Sequence, residues 1–415
     1  MQINVFGSTI SALVTAGCLA ETGNQVTLIG NIPESIAEPN LSKLLKKQLK
    51  AGFLKVSEQF NQEANFHFIS LPSGACQDAV VIAEQLSEKA QKDSYLVLRS
   101  NFGFPLSHQV IDTAKLPFIV NPDFAADGNA INAFTRPDRI IIGSEDEHAT
   151  EDFKRLMSPF NRNRDVSIVM SPDSAILTKY ATNVLIATRI SLMNELALVA
   201  EEMGADIEQV RQGLGSDQRI GFSYLYPGVG FGGEHLEMDL ERVQALIDKT
   251  GSQENLLRSV ANINHTQKEL LFRKLWKHFD CQLTNKQIAL WGISYKPNSS
   301  SIKGAPSLVM IEALLHQGCQ VNIYDPKLGK SFDQWCQTYL SEQQRSQLHI
   351  FDDPYNALDN SDALCVLTEW KQFWSPDFSE MQQRMKHSVI ADGRNLYDPE
   401  HLKSLGFTYF GVGRK

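Results

Sequence analysis

Apolar residues near the N-terminus follow a strand–helix–strand pattern. The apolar runs "INVFG" (3–7) and "QVTLIG" (25–30) flank a segment in which Ala12, Leu13, Ala16, Leu19 and Ala20 recur at helical spacing. Short apolar runs are typical of buried parallel strands, and this arrangement predicts a βαβ unit. Similar runs at 66–71, 93–100, 116–122 and 139–145 extend the pattern into a doubly wound sheet.

A change of pattern follows at about Asp173, where helical periodicity continues without Gly or Pro until Gly204. Its many apolar positions predict a long helix buried on more than one face, as in a domain connector or a dimer core. A second βαβ unit is predicted at 285–297 and 320–326, with further strands at 362–370 and 388–399. The predicted fold is α/β: two Rossmann-like doubly wound domains (1–170 and 271–415) joined by a central helical domain (171–270).

Composition narrows the classes of partner. The 415 residues carry a net charge of −9 without a basic stripe, so we do not expect nucleic acid as a partner. Six scattered cysteines without a C-x-x-C pair predict reduced thiols in a cytoplasmic protein. The chain begins as a strand and has no uninterrupted run of 18 apolar residues, so neither a secretory signal nor a membrane span is expected.

The stretch "PGVGFGGEHLEMD" (227–239) contains four glycines followed by metal-ligand residue types. Closely spaced glycines indicate a tight turn or close approach of the backbone to another group. Glu234, His235, Glu237 and Asp239 raise the possibility of a metal site, but their spacing matches no zinc or calcium pattern. We therefore predict that the loop holds no metal.

The first predicted βα turn reads Gly7-Ser8-Thr9-Ile10. A dinucleotide fingerprint would have a second glycine at Thr9 and an acidic residue at the end of the second strand, where this chain has Gly30-Asn31. Two interpretations remain open: an altered dinucleotide site, or a turn of the fold whose cofactor binding is weakened or lost.

Three cationic residues have both functional and structural interpretations. Lys179 lies one helical turn before Asn183 and is either a tuned active-site amine or a lysine with a solvated head group. Lys296, in "YKPNSSS", marks either a phosphate cradle or a capped helix start. Arg394 follows a predicted strand, where ligand contacts cluster in open α/β sheets.

Taken together, the motifs resemble the UDP-glucose/GDP-mannose dehydrogenase family. The resemblance covers nearly the whole chain, and its specific parts are "VNPDFAADG" (120–128), "KYATN" (179–183), "DQRIGFSYLYPGVGFGG" (217–233), "YKPNSSSIKGAPS" (295–307), "TEW" (368–370) and "DGRNLYDP" (392–399). It implies a four-electron oxidation of the C6 alcohol of a nucleotide sugar to a carboxylate with two NAD⁺ in succession, and a homodimer joined through the central helix. The residues Gly30-Asn31 leave NADP open as well, because they lack the acid that would repel a 2′-phosphate.

The resemblance also implies roles for individual residues. The implied catalytic residues are Lys179, Asn183, Asp239, His235 and Asp127. The implied cofactor-binding residues are Gly7, Thr9, Ile10, Asn31, Asn101 and Lys303. The implied substrate-binding residues are Asp123, Phe124, Arg219, Tyr224, Leu225, Tyr226, Gly230, Lys296 and Arg394.

The chain departs from the family pattern mainly at positions for chemistry and NAD. The family's glycine loop normally continues S-C-F-P-K-D, and its nucleophilic cysteine corresponds to His235 here, while its lysine corresponds to Met238. Imidazole does not readily replace a thiolate in capturing an aldehyde. Aspartates replace the family's glutamates at positions 123 and 127, Asn101 replaces a threonine, and Lys303 replaces an arginine.

Three hypotheses follow. The first is a divergent nucleotide-sugar 6-dehydrogenase that does not carry out the cysteine-dependent four-electron oxidation. The second is a non-catalytic nucleotide-sugar-binding protein or pathway scaffold, which would bind without turnover. The third keeps the fold but takes a non-sugar metabolite, in which case UDP would not bind.

Overall fold

The computed structural model describes residues 1–36, 38–125, 128–162, 164–252 and 255–414. Two compact units divide the chain, Met1–Ala181 and Thr182–Lys415. Each unit contains a largely parallel β-sheet with helices packed against it, which confirms the predicted α/β class. The three predicted domain boundaries stay a prediction.

The strands of the first unit form one sheet in the order β3-β2-β1-β4-β5-β6-β7-β8. Neighbouring strands are parallel except β6 and β7, which meet antiparallel at Val120 and Gly143. The strands are β1 (Gln2–Phe6), β2 (Gln25–Ile29), β3 (Leu54–Val56), β4 (Phe66–Ile69), β5 (Tyr95–Leu98), β6 (Phe118–Val120), β7 (Ile140–Gly143) and β8 (Ser167–Met170). The helices are α1 (Ile10–Glu21), α2 (Leu41–Ala51), α3 (Cys76–Lys89), α4 (Phe104–Ala114), α5 (Ala130–Thr135) and α6 (Glu147–Met157), with a 3₁₀ turn at Ser158–Phe160.

Small residues on α1 explain its close packing in the first unit. Ala12, Ala16 and Ala20 are fully or almost fully buried. A Cβ atom on Gly17 would lie 3.0 Å from Leu44 Cδ2, so this position has little room for a side chain beside α2. The sequence therefore brings the α1 backbone near its neighbours and fixes the position of the β1–α1 turn.

The strands of the second unit form a parallel sheet in the order β11-β10-β9-β12-β13-β14. Ile288 and Leu290 of β9 pack into one apolar cluster, while Ala289 and Trp291 pack into another on the opposite face. Burial of both faces explains the uninterrupted apolar runs that predicted these strands. The strands are β9 (Gln287–Trp291), β10 (Gln320–Tyr324), β11 (Leu348–Ile350), β12 (Ala363–Val366), β13 (Val389–Asp392) and β14 (Thr408–Phe410).

The second unit also contains helices, in addition to the part of the long central helix described below. They are α8 (Ile207–Ser216), α9 (Glu234–Lys249), α10 (Leu256–Lys268), α11 (Leu270–His278), α12 (Pro306–His316), α13 (Lys330–Tyr339), α14 (Glu342–Ser346), α15 (Phe378–Arg384) and α16 (Pro399–Ser404), with 3₁₀ turns at Asn356–Leu358 and Lys371–Phe373. Because α12 begins only at Pro306, the interpretation of "YKPNSSS" as a capped helix start is wrong. That segment lies within the long β9–α12 connection.

The long central helix, α7 (Pro172–Met203), starts and ends within one residue of the segment predicted from periodicity. By length and composition alone it could cross a membrane, with a mean hydropathy of 1.3 over its most apolar window, of which 39% is buried. One such helix is weak evidence, since a core helix of a soluble protein meets the same criterion. The expectation of no membrane span stays a prediction.

Candidate functional site

The glycine-rich loop of the second unit lies against other backbone segments. A Cβ atom on Gly232 would lie 2.6 Å from the carbonyl oxygen of Gly304. Gly230 and Gly233 both have φ of +91°, in the region that favours glycine. The close approach expected from the sequence is thus met by the chain itself, at the connection before α12.

Three buried amide side chains hold this loop. Asn194 Oδ1 accepts a hydrogen bond from the Gly228 N–H at 2.8 Å. Asn264 bonds both polar groups of Phe231, accepting from its N–H at 2.7 Å and donating to its carbonyl at 3.1 Å. Gln267 Nε2 donates to the Gly228 carbonyl at 2.6 Å. These bonds satisfy loop backbone groups that would otherwise be buried without partners.

The acidic residues after the loop point to separate partners. Lys303 Nζ pairs with Glu234 at 2.6 Å, and Lys268 pairs with Glu237. Asp239 is fully buried and accepts a hydrogen bond from Asn183 Nδ2 at 2.7 Å. Among the described residues, no three His, Cys, Asp or Glu side chains are placed to share a metal ion.

Asp239 also has a cationic neighbour one helical turn later. Arg242 Nη1 lies 3.3 Å from the Asp239 oxygen Oδ1, while Asn183 occupies Oδ2. A buried carboxylate needs such partners, because desolvation of an isolated charge is costly. His235 is exposed in the first turn of α9, so its side chain lies in a different environment from that of Asp239.

Arg394 borders the glycine loop from the end of β13. A Cβ atom on Gly228 would lie 3.5 Å from Arg394 Nη1. Arg394 Nε donates to the Leu367 carbonyl at 2.7 Å and lies 3.2 Å from Glu369 Oε2. Burial raises the pKa of Asp392, although its carboxylate accepts a hydrogen bond from the Arg394 N–H at 2.9 Å, which lowers it. The structure therefore brings Gly230 and Arg394 into one region of the second unit.

The other substrate positions of this unit are more dispersed. Arg219 is exposed and pairs with Asp217 at 2.7 Å, and Tyr224 is half exposed with φ of +60°. Tyr226 is exposed beneath Arg211, whose Cζ lies 4.2 Å from the ring centroid. The remaining positions are Leu225, whose side chain is buried in an apolar cluster, and Lys296, whose Nζ lies 5.4 Å from the Tyr295 ring centroid.

The β1–α1 turn forms the cofactor candidate of the first unit. Gly7 has φ of +129°, and a Cβ atom there would lie 2.2 Å from the Ser70 carbonyl oxygen. Thr9 caps α1: its hydroxyl accepts from the Ala12 N–H at 3.1 Å and donates to the Ser70 carbonyl at 2.9 Å. Ser8 Oγ accepts from the Asn31 N–H at 2.7 Å, which joins the turn to the end of β2.

This turn fits an NAD pyrophosphate with one difference. The first turn of α1 has no acidic residue and presents backbone N–H groups beginning at Ile10, as anion binding at a helix start requires. The difference is Thr9, which brings a side chain to the position where a second glycine would let the backbone approach a phosphate.

A second cluster of the first unit surrounds Asp123. Arg99 Nη2 lies 3.3 Å from Asp123 Oδ1, and Asp123 also accepts from the Ala125 N–H at 2.9 Å. Burial would raise the pKa of Asp123, but Arg99, the Ser11 side chain, the backbone bond and Lys179 together hold it below its usual value. Two cations lie over the ring of Phe124: Arg139 Cζ is 4.3 Å and Lys179 Nζ is 5.2 Å from the ring centroid.

Two further positions complete the sequence-based set. Asn101 lies in the β5–α4 connection and is partly buried. Asp127 lies outside the described residues.

Sequence reasoning missed the residues that hold these segments in place. The missed residues are Glu38, Arg99, Asn194, Arg242, Asn264 and Gln267. Arg242 had a local signal, because it lies three residues after Asp239 in the region predicted to be helical (171–270). The others bond to residues at least 22 positions away, and no local pattern marks such partners.

Comparisons with known proteins cover the whole chain. Models of the UDP-glucose/GDP-mannose dehydrogenase family match it at residues 1–161 (NAD binding domain), 173–266 (central domain) and 289–399 (UDP binding domain). The chain is 35% identical to a UDP-glucose 6-dehydrogenase of Pseudomonas aeruginosa, with 100% of this chain and 98% of that protein aligned. It is 30% identical to the UDP-glucose 6-dehydrogenase YwqF of Bacillus subtilis, with the same coverage.

Solved structures show the same fold. A UDP-glucose dehydrogenase from Pyrobaculum islandicum superimposes with a TM-score of 0.85 at 23% identity, over 100% of this chain and 98% of that one. The NAD-binding, central and UDP-binding domains of the family are all matched in this chain. The chain belongs to the UDP-glucose/GDP-mannose dehydrogenase family.

Proposed function

We propose that the protein is an NAD-dependent oxidoreductase that oxidises the C6 alcohol of a UDP-sugar such as UDP-glucose to the aldehyde. The observation that carries this proposal is the buried Asn183–Asp239 pair at 2.7 Å, retained directly after a well-anchored glycine loop. The position of the family's aspartate thus still carries a buried carboxylate, which Asn183 and Arg242 hold in place. The choice of UDP-glucose as the sugar is supported by the relatives named UDP-glucose 6-dehydrogenase.

The proposed reaction balances as a two-electron oxidation. The C6 carbon loses a hydride and its hydroxyl loses a proton, so the alcohol becomes an aldehyde. NAD⁺, when bound, accepts the hydride and becomes NADH. Asp239 and Lys179 are the proposed proton acceptors, directly or through water, and Asn183 fixes the Asp239 carboxylate.

The four-electron route through a thioester is not part of the proposal. It requires a reactive thiolate, and such thiolates have lowered pKa values. Burial instead raises the pKa of five of the six cysteines: to about 12 for Cys18 and Cys319, to about 11 for Cys336, and above the usual value for Cys76 and Cys365. The sixth, Cys281, is exposed and lies outside the segments that resemble the family's site. His235, at the nucleophile position implied by the family, is exposed and is proposed to act at most as a proton carrier.

The remaining roles are proposed by position in the family. Gly230, Lys296 and Arg394 are proposed to bind the nucleotide and its phosphates, and Asp123 and Phe124 the sugar. The other proposed substrate contacts are Arg219, Tyr224, Leu225 and Tyr226. Asp127 is proposed as catalytic, and Asn101, Asn31 and Lys303 as cofactor contacts.

A cytoplasmic homodimer is proposed as the working form. In the second unit, Leu185, Leu192 and Val199 are each at least half exposed on α7 and recur every seven residues. This spacing places them along one side of the helix, as in a helix–helix interface. The three-domain division at 1–170, 171–270 and 271–415 is proposed with it.

The decisive experiment counts NADH released per UDP-glucose consumed and traps the carbonyl product with hydroxylamine. We expect one NADH per sugar and a trapped aldehyde. Asp239→Asn should lower kcat roughly 100-fold, because it removes the proposed base. Glu241→Gln, an exposed carboxylate on the same helix, is the matched control and should leave the rate unchanged. Two NADH per sugar would contradict the aldehyde stage.

The binding-protein alternative has one observation in its favour. Thr9 and Asn31 alter both ends of the cofactor site, and Thr9 already uses the Ala12 N–H. That alternative predicts UDP-glucose binding without NADH formation from any sugar in a broad panel. Failure of UDP itself to bind would favour a non-sugar substrate instead.

A further inference from the structure

Glu38 is a buried glutamate in the segment between β2 and α2. It is 4% exposed. Its Oε2 accepts a hydrogen bond from the Gly128 N–H and its Oε1 accepts one from the Ala130 N–H, both at 2.7 Å. Asn129, at the cap position of α5, makes no side-chain cap bond, so Glu38 supplies the acceptor at this helix start.

The two segments that Glu38 joins belong to different proposed subsites. On one side, the β2–α2 segment begins beside Asn31, whose N–H is bound by Ser8 of the cofactor turn. On the other side, Gly128 and Ala130 follow the segment of Asp123 and Phe124, the proposed sugar contacts. No backbone hydrogen bond joins residues 31–36 or 38–40 to residues 123–125 or 128–130, and the hydrogen bonds that do join these described residues are the two that Glu38 accepts.

Apolar packing accompanies this link. Ile32 and Ile36 of the β2–α2 segment lie against the core cluster of the first unit, and so do Ala125 and Ile131. Both segments therefore pack against the same apolar core. Two hydrogen bonds to one carboxylate transmit a displacement of either segment with fixed geometry, because both N–H groups need the same acceptor.

We propose that Glu38 is a positioning residue that couples cofactor binding to nucleotide-sugar binding. This inference rests on the proposed function, since it assigns the two segments to the two ligands. NAD bound at the β1–α1 turn would hold Asn31 at the end of β2, and Glu38 of the same connection holds the Gly128 and Ala130 N–H groups near the proposed sugar contacts. By linkage, the sugar improves NAD affinity by the same factor.

The test measures a coupling factor. NADH and UDP-glucose are titrated separately and then each in the presence of the other, with nicotinamide fluorescence and calorimetry as readouts. We expect each ligand to tighten the other about ten-fold in the wild type. In Glu38→Gln the factor should fall to near one, because the amide offers one acceptor oxygen and turns a donor toward the second N–H.

A matched control comes from the same segment. Glu34 is exposed, so Glu34→Gln removes the same charge without touching the link and should keep the full coupling factor. A structural role for Glu38 alone predicts parallel losses of both separate affinities with unchanged coupling, and that result would overturn the proposal. Wild-type coupling in Glu38→Gln would overturn it as well.

Hydrogen exchange in the wild type covers the case in which Glu38→Gln does not fold. NADH alone should slow exchange of the Gly128 and Ala130 amides, although neither belongs to the cofactor turn. Unchanged exchange rates in an NADH-saturated sample refute the coupling. Absence of NADH binding is a separate outcome, which defeats the proposed function and the coupling together.

Discussion

The first βα connections of the two sheets differ in length and in the residue that follows the second strand. In the first unit, the turn covers residues 7–9 and leads directly into α1, and the residue after β2 is Gly30. In the second unit, the connection covers residues 292–305, and the residue after β10 is Asp325. Asp325 Oδ2 accepts hydrogen bonds from the N–H groups of Ile293 and Ser294 at 2.7 and 2.9 Å.

The same kind of βα turn is blocked for a pyrophosphate in the second unit and open to one in the first. A carboxylate from the chain occupies backbone donors of the second turn, which makes this turn unsuitable for a dinucleotide pyrophosphate. The longer connection instead reaches the glycine loop, where the Gly233 N–H donates to the Lys303 carbonyl at 2.8 Å. The first turn of α1 contains no acidic residue of its own, and the Asp123 carboxylate, from another segment, reaches the Ser11 side chain there. The backbone N–H groups of this turn therefore remain compatible with an NAD pyrophosphate.

The largest expected effect on stability comes from removing the Asp325 carboxylate from the β9–α12 connection. Asp325→Ala removes a 7% exposed carboxylate and leaves the Ile293 and Ser294 N–H groups without an acceptor. We expect the free energy of unfolding of this domain to fall by about 3 kcal/mol or more, measured by urea denaturation. Asp352→Ala, at an exposed position, is the control and should change it by less than about 0.5 kcal/mol. An unchanged Asp325→Ala midpoint would refute this account.

Glycine replacements in both turns should separate folding from cofactor binding. Both substitutions place a Cβ atom too close to a neighbour. In Gly7→Ala it would lie 2.2 Å from the Ser70 carbonyl oxygen, and in Gly292→Ala 2.5 Å from Thr368 Cβ. Each should lower the free energy of unfolding by about 3 kcal/mol. Only Gly7→Ala should also weaken NADH binding, by roughly ten-fold, in a fluorescence titration.

Gly23, which has no close neighbours, provides the control for the Gly7→Ala and Gly292→Ala substitutions. Gly23 has φ of +88°, but a Cβ atom there would meet nothing within 4 Å, so Gly23→Ala should cost only about 1 kcal/mol of backbone strain. If Gly292→Ala weakened NADH binding as much as Gly7→Ala, the division of roles between the turns would be wrong.

The smallest expected effect concerns Thr9. Thr9→Gly restores the glycine fingerprint but removes the bonds to Ala12 and Ser70. We expect a loss of about 1 kcal/mol in stability together with NADH binding tightened by about three-fold, because the backbone gains access to the pyrophosphate. Thr9→Ser keeps the hydroxyl and should match the wild type in both measurements. Unchanged or weaker NADH binding in Thr9→Gly would show that the Thr9 side chain is no obstacle.

The predicted strands show where sequence patterns carry information. The apolar pattern identifies the central strands of both sheets, because burial on both faces produces continuous apolar runs. The strands that it does not identify are β3, β8, β11 and β14, which are the outer strands in the two sheet orders. Apart from the buried Leu54 of β3, their residues are partly or largely exposed, so the apolar signal is short and mixed.

The candidate site was predictable only in part. The glycines at 228–233 correctly indicated close approach, but the sequence did not show that Gly304 and Gly393 are the neighbouring backbones. The roles of Lys179, Asn183 and His235 came from resemblance to a family, and they stay predictions. Arg242 was not selected, although its spacing from Asp239 was available.

The amino-acid sequence by itself determined the α/β plan, the long central helix and the need for glycine at tight backbone positions. These features follow from local periodicity and from steric limits on single residues. Only the tertiary structure decided which acceptor meets which buried N–H group, as Glu38 does for Gly128 and Asp325 for Ile293. Such pairs join segments distant in the chain, and their geometry depends on how the whole unit packs.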